Sequence, residues 1–362
     1  MYPLPKEDKQ VSPYFVFYLI HSMQVGVGIL GFERIIAQSA RQNAWIAVII
    51  AGIIMIGLVF LSYRILNRGK NDIVAIHHDV FGKWIGGMFS LYFILYYAIL
   101  VLVILRTYEE VIQVWVFPDV GAWVFLLIIL LIAYYYVIGG FRVVTGISFL
   151  GVIYGLPLLL VMYFPLKNGH LGNLLPLFDV TFRELYEATK GMTLNFLGFE
   201  VLFMFYPFIK KATKSEKWAY FAVIFSTFIY LVTLLVTFVY FSQEQLKTTI
   251  WATLSLWKIV DLTIIERFEY VGICIWFFVI LPNICIGLWC ASRGMHRLFS
   301  IRQKTSLRFI CLLVLLSALF FRDRQLVDTL NDIVSQIGLY TIYFYIPFLY
   351  VVQMIMKRWK KT

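Results

Sequence analysis

The chain has 362 residues, of which 61% are apolar and 14% charged, and its formal net charge is +11. Soluble globular chains hold about 45–50% apolar and about 25% charged residues, so a soluble protein of this composition would have more core than its polar residues could cover. The positive charge sits in short clusters beside apolar blocks, as it does around membrane-crossing helices. That distribution argues against nucleic acid as a partner and for a lipid bilayer.

The first stretch, Met1 to Val11, is polar. It has no basic segment, short apolar run or small-residue cleavage site of a secretory signal, so the first helix is expected to remain in the mature protein. Trp84 to Leu105, Val120 to Phe141, Val143 to Leu166, Trp218 to Gln243 and Tyr270 to Ser292 are uncharged blocks of at least 22 residues. About 20 residues of helix cross a hydrocarbon core of about 30 Å. The pattern predicts an all-α polytopic membrane protein with about ten spans, near 12–38, 43–63, 84–106, 120–141, 143–166, 188–209, 216–241, 268–292, 307–321 and 333–356. Span nine is the shortest, with 13 residues between Arg308 and Arg322. Residues 1–362 read as a single transmembrane domain with no soluble module.

With both termini on the cytoplasmic side, the cytoplasmic segments carry 20 Lys and Arg against 11 on the other side, and 5 acidic residues against 14. Lys210-Lys211-Ala212-Thr213-Lys214, Arg293 to Arg308 and Lys357 to Lys361 contribute most of that bias. The positive-inside rule therefore supports cytoplasmic termini. The gap 64–83 carries Ile73, Ile76, Val80 and Phe81 at helical spacing and predicts an amphipathic surface helix, with His77 and His78 on its solvated face. Loop 242–267, with Trp251 and Trp257, is a candidate lid. Cys274, Cys285, Cys290 and Cys311 lie in apolar spans without metal-ligand or disulfide spacing. The histidines are scattered too, at His21, His77, His78, His170 and His296. No cofactor, metal site or enzymatic constellation of nucleophile and base is expected.

Two spans carry interruptions. Span one begins Ser12-Pro13-Tyr14, an N-cap followed by proline, and its middle reads Gln24-Val25-Gly26-Val27-Gly28-Ile29-Leu30. Glycines there weaken the helix by about 1 kcal/mol each relative to alanine and let a ligand approach the backbone; the same pattern also suits a small-residue groove between helices. Span six reads Met192-Thr193-Leu194-Asn195-Phe196-Leu197-Gly198-Phe199-Glu200. Glu200 is the one carboxylate this reading places at membrane depth, where an ionisable group points to function. The breaks lie about 172 residues apart, and Pro157 and Pro347 correspond more loosely at 190. Five plus five spans imply two inverted repeats, about 12–166 and 188–356, and paired interrupted spans in such halves point to a solute site at mid-membrane.

Several stretches together resemble the germinant-receptor B-subunit family of spore-forming bacteria, a branch of the amino acid–polyamine–organocation transporter superfamily. They are Ser12-Pro13-Tyr14, the Gly26-Val27-Gly28 break, Asn43-Ala44-Trp45-Ile46-Ala47-Val48 and Gly82-Lys83-Trp84-Ile85-Gly86. Arg106 with Glu109, and Gly198-Phe199-Glu200 followed by Tyr206-Pro207, complete the set. Phe32-Glu33 stands where that family usually has Leu-Pro, and Gly139-Gly140-Phe141-Arg142 fits its span-four exit loosely. The resemblance implies a LeuT-type fold with helices one and six broken, the inner spore membrane, A-type and C-type partner subunits, and recognition of a nutrient, often an amino acid.

For an amino-acid-like germinant, the backbone at Val25, Gly26, Val27 and Gly28, at the positive end of a half-helix, suits the carboxylate. Carbonyls freed at Leu197 and Gly198 suit the ammonium, with Asn195 beside them and Glu200 helping directly or through water. Tyr97 (or Tyr96) of span three and Asn283 of span eight are the candidate walls. Two functions share this site: a nutrient-binding receptor subunit that triggers germination, and a proton-coupled amino acid permease.

Overall fold

In hydrocarbon every main-chain N–H and C=O has to be bonded inside its own segment, which leaves helices as the solution for uncharged runs. The computed structural model describes residues 4–262 and 265–359, side chains excepted over 357–359. The basic tail Lys357 to Lys361 thus falls outside the residues whose side chains are described. Among the described residues there is no β-sheet, only isolated bridges. In one of them Val11 is held against the end of span six: its N–H donates to Phe208 O at 2.8 Å and its carbonyl accepts from Lys210 N at 2.8 Å.

Span one is α1 (Phe15–Gln24) and α2 (Phe32–Ala40), separated by a 3-10 turn at Val27–Leu30. Span two is α3 (Ala44–Gly69). The amphipathic segment and span three form one element, α4 (Ile73–Trp115), kinked at Gly82, whose φ of 76° favours glycine. Span four is α5 (Ala122–Ile138). Span five is α6 (Phe141–Gly155), α7 (Pro157–Leu160) and α8 (Tyr163–Asn168), interrupted where Pro157 stands. Span six is α9 (Phe182–Gly191), started by a Thr181–Glu184 capping box, then α10 (Thr193–Phe196) and, past a break, α11 (Leu202–Phe205). Span seven is α12 (Glu216–Tyr240). Loop 242–267 folds into α13 (Gln243–Thr248) and α14 (Ala252–Trp257). Span eight is α15 (Phe268–Phe299), with Pro282 inside it. Span nine is α16 (Gln303–Ala318), ahead of the predicted 307–321, because the chain leaves the helix at Leu319 before α17 begins. Span ten is α17 (Arg324–Leu339), a π segment (Tyr340–Tyr345) and α18 (Ile346–Trp359).

Among the described residues, six stretches are long and apolar enough to cross a membrane: Phe32–Gly69, Ile73–Trp115, Phe141–Asn168, Ala212–Tyr240, Phe268–Phe299 and Arg324–Met356. The pair Phe182–Gly191 and Thr193–Phe208, bent by 46°, makes a seventh. What remains of the expected set is the broken first span, the shorter α5 and the 16-residue α16. Helix α15 packs on α4 and on α1, and α11 of span six packs on both α15 and α4, so spans one, three, six and eight meet.

The segment before span three differs from its prediction. It is helical, but Ile73 to His77 are buried against the protein. Asp72 caps the helix, accepting from Ala75 N at 3.1 Å, and pairs with Arg297 at 2.6 Å. His77 is fully enclosed rather than solvated. Ser90 donates its one hydrogen to Gly86 O at 2.7 Å, so His77 Nδ1 donates to Ser90 Oγ at 3.0 Å and Nε2 accepts from Tyr345 at 2.6 Å. His78 is exposed. All four cysteines are free, and Cys285 and Cys290 are buried as core fillers.

Candidate functional site

The two breaks face each other. In span one, Val25 N still donates to His21 O at 2.9 Å, after which Gly26 leaves helical geometry at φ −132°, ψ −138°. A Cβ on Gly26 would stand 2.4 Å from Asn283 Nδ2, and one on Gly28 would stand 2.2 Å from Asn195 Oδ1. Glycine here lets two amide side chains lie directly against the backbone. In span six, Gly198 takes φ +117°, and a Cβ there would also meet Met23 Cβ at 2.6 Å. Both constraints make position 198 a glycine position.

The breaks are tied together by polar groups the chain supplies. Gln24 Nε2 donates to Phe196 O at 3.3 Å, crossing from span one to span six. Tyr230 of α12 points its hydroxyl at Gln24 O (2.7 Å) and Asn195 O (3.2 Å), so one phenol serves carbonyls at the ends of two half-helices. Glu200 braces the span-six break from within: Oε1 accepts from Tyr96 at 2.6 Å and Oε2 from Gly198 N at 2.8 Å. Tyr97 donates to the Glu200 main-chain carbonyl at 3.0 Å.

A cavity of about 500 Å³ opens from these breaks between α2, α4 and α17. Of the predicted site residues, Gly26, Val27, Gly28, Asn195, Leu197, Gly198 and Asn283 line it. Val25 instead faces a separate void of about 40 Å³ that it shares with His21, Ser22, Ile29 and Thr253. Tyr97 and Glu200 are fully buried one layer behind the wall. Both Glu200 oxygens are engaged, so this carboxylate supports the break and offers no free oxygen to a ligand.

The cavity changes character along its length. Its deep end carries the amides of Gln24, Asn195 and Asn283 and no charge, and Gln24 Oε1 and Asn283 Oδ1 have no hydrogen-bond partner among the described residues. Its exposed end carries Arg34 and Gln38 of α2 opposite Arg324, Asp328, Asn331, Asp332 and Ser335 of α17. Arg324 is held by Glu110 (2.5 Å) and Asp328 (2.8 Å).

Gln24, Tyr230, Arg34 and the α17 stripe escaped the sequence reading. The stripe falls at i, i+4, i+7, i+8 and i+11, one face of a helix, and that spacing was the available signal. Its polar residues depressed the hydropathy and pushed the predicted start of span ten to residue 333. A second correction concerns acidity: Glu33 is also entirely buried, so Glu200 is not alone. No group of three His, Cys, Asp or Glu able to hold a metal occurs among the described residues.

Packed apolar helices with two spans broken opposite each other across a solute-sized cavity define a transporter-fold membrane protein. The chain matches a Na+-coupled sialic acid symporter in its substrate-bound outward-open state with a TM-score of 0.68 at 12% identity, over 92% of this chain and 79% of that one. It matches MhsT, crystallised with L-phenylalanine, with a TM-score of 0.66 at 16% identity, over 94% and 87%. At such identities the likeness is one of fold, here the LeuT type. Sequence is more specific: the family described as spore germination protein matches residues 10–327. Spore germination protein GerQB of Bacillus cereus is 42% identical over 346 residues, 96% of each chain. The chain belongs to this spore germination protein family, as a multi-pass, permease-type germinant receptor subunit.

Proposed function

We propose that this chain is the nutrient-binding subunit of a spore germinant receptor and that an amino-acid-like germinant binds where the two broken helices meet. The observation that carries the reading is the uncharged deep end of the 500 Å³ cavity, where two amide oxygens lack partners beside freed backbone. A zwitterion suits such a place. Its carboxylate meets the N–H groups of Val27 and Gly28 at the positive start of the outer half of span one. Its ammonium meets Gln24 Oε1 and Asn283 Oδ1. Leu100, Val103, Ile104 and Leu194 leave an apolar wall for a side chain.

In the same proposal the halves 12–166 and 188–356 are the inverted repeats, both termini are cytoplasmic, the membrane is the inner spore membrane, and A-type and C-type subunits carry the output. Occupancy draws the walls of the cavity together, and differential affinity for that closed state drives the signal.

The test uses the purified full chain in lipid nanodiscs and a panel of labelled amino acids. Saturable binding of at least one, lost in Gly26→Leu with the protein still folded, is expected. Absence of binding across the panel overturns the ligand class. Concentrative uptake by the chain alone in proteoliposomes under a pH gradient replaces the receptor reading with the proton-coupled permease.

A further inference from the structure

Glu33 lies in the first turn of α2, in span one's outer half, and is wholly buried. Its Oε1 stands 2.6 Å from Thr253 Oγ1 on α14 and 3.2 Å from Thr237 Oγ1 on α12. Thr253 Oγ1 is also 2.9 Å from Ile29 O, inside the span-one break, and Thr237 Oγ1 is 2.9 Å from Thr233 O. Glu33 Oε2 has no hydrogen-bond partner among the described residues. The main-chain N–H of Glu33 also approaches its own carboxyl.

Counting hydrogens decides what this cluster holds. Each threonine hydroxyl carries one hydrogen, and an ionised carboxylate carries none. The four contacts, at 2.6, 3.2, 2.9 and 2.9 Å, would need four hydrogens where the threonines supply two. A protonated Glu33 supplies the third: it donates to Thr253, which donates onward to Ile29 O, while Thr237 donates to Thr233 O. Without that proton, two of the four contacts are left without a hydrogen, and a buried negative charge has no ion-pair partner among the described residues.

No neighbouring charge compensates. On α12, Tyr230 is the ionisable group within electrostatic reach of Glu33, and its hydroxyl is committed to the two breaks. On α13, Glu244 and Lys247 pair with each other at 2.6 Å. On α9, Glu184 binds Thr181 and Arg41, while Arg183, Glu187 and Lys190 are exposed. Lys258, just past α14, lies over the Trp115 ring, and Arg34, next to Glu33 on α2, lines the large cavity. A monovalent metal ion fits less well, because two oxygens sharing an ion have no hydrogen between them and are pushed wider than 2.6 Å.

We infer that Glu33 is a proton-binding site, and that its bound proton latches the lid helix α14 to the break in span one through Thr253. Ionisation turns the single Thr253 hydrogen from Ile29 O to the carboxylate, so loss of the proton frees the carbonyl at the span-one break from α14, while Thr253 stays bonded to Glu33. Acid favours the latched state and alkali the released one. The functional consequence, proton-linked access to the cavity, rests on the solute reading above; the protonation itself does not.

Infrared difference spectra of the full chain in nanodiscs, wild type minus Glu33→Gln, test it without any solute. At neutral pH the difference is expected to show the C=O stretch of a protonated carboxyl that shifts in D₂O. Carboxylate bands in its place overturn the inference, as does a Na+-, K+- or Li+-dependent change in those bands. Should Glu33→Gln fail to fold, Thr253→Val serves: the wild-type C=O band is expected to move to higher frequency as the O–H loses its acceptor, and an unmoved band overturns the inference.

Discussion

Glu33 and Glu200 are both fully buried carboxylates on broken spans, yet their surroundings differ. Glu200 has a donor on each oxygen, from Tyr96 and from Gly198 N, and so closes the span-six break on itself. Glu33 has two hydroxyls crowded on one oxygen and nothing on the other. Span one has no brace of that kind within its own break: Tyr230 of α12 bonds the Gln24 carbonyl and Thr253 of α14 the Ile29 carbonyl. A buried charge is thus not by itself a ligand site. The carboxylate with its hydrogen bonds complete belongs to the scaffold, and the one with them incomplete has work left to do with a proton.

The sharpest way to break the comparison is at the braced end. Gly198→Ala combines a disfavoured backbone at φ +117° with a Cβ 2.6 Å from Met23 Cβ, and is expected to abolish recovery of folded protein, measured as monodisperse yield after extraction. Glu200→Ala comes next, since it strands the Tyr96 hydroxyl and the Gly198 N–H inside the protein; about 2–4 kcal/mol of destabilisation is expected, read as a lower thermal midpoint. Glu200→Gln keeps an acceptor for Gly198 N and can donate to the Tyr96 oxygen, so a loss of about 1 kcal/mol is expected with solute binding retained. A large loss of affinity in a well-folded Glu200→Gln would return this residue to the ligand shell. Tyr230→Phe removes one shared hydrogen bond across the two breaks, worth about 1 kcal/mol, and is expected to weaken solute affinity about fivefold. The smallest effect is expected from Asp332→Asn at the exposed end of the cavity, where titration should show affinity within about twofold of wild type, screened further by salt.

The membrane class, the helical count and the two breaks were legible in the sequence because each depends on local pattern: long uncharged runs, and glycine with an amide or acid inside them. Seven of the ten predicted site residues line one cavity for the same reason, as they are the break residues themselves plus Asn283 beside Pro282. What the sequence hid depends on partners far along the chain. Gln24 and Tyr230 matter because of carbonyls in other spans. His77 turned inward because Ser90 and Tyr345 receive it. The α17 stripe was hidden by an assumption, that polar residues mark a loop, where the polar face lines a cavity instead. Glu33 falls inside the predicted span 12–38 but near its outer end, where it was counted with the acidic residues of the outer side.

The central claim is that solute binds against the bare backbone of span one, at the uncharged end of the cavity. It is tested most directly by equilibrium binding of labelled amino acids to the purified chain and to Gly28→Leu, whose side chain would occupy the space now held by Asn195 against the backbone. The account predicts saturable binding to the wild type and none to the Gly28→Leu protein that still folds, whose melting midpoint is expected to fall as Asn195 is displaced. Equal affinity in the two proteins would contradict it and move the site away from the break.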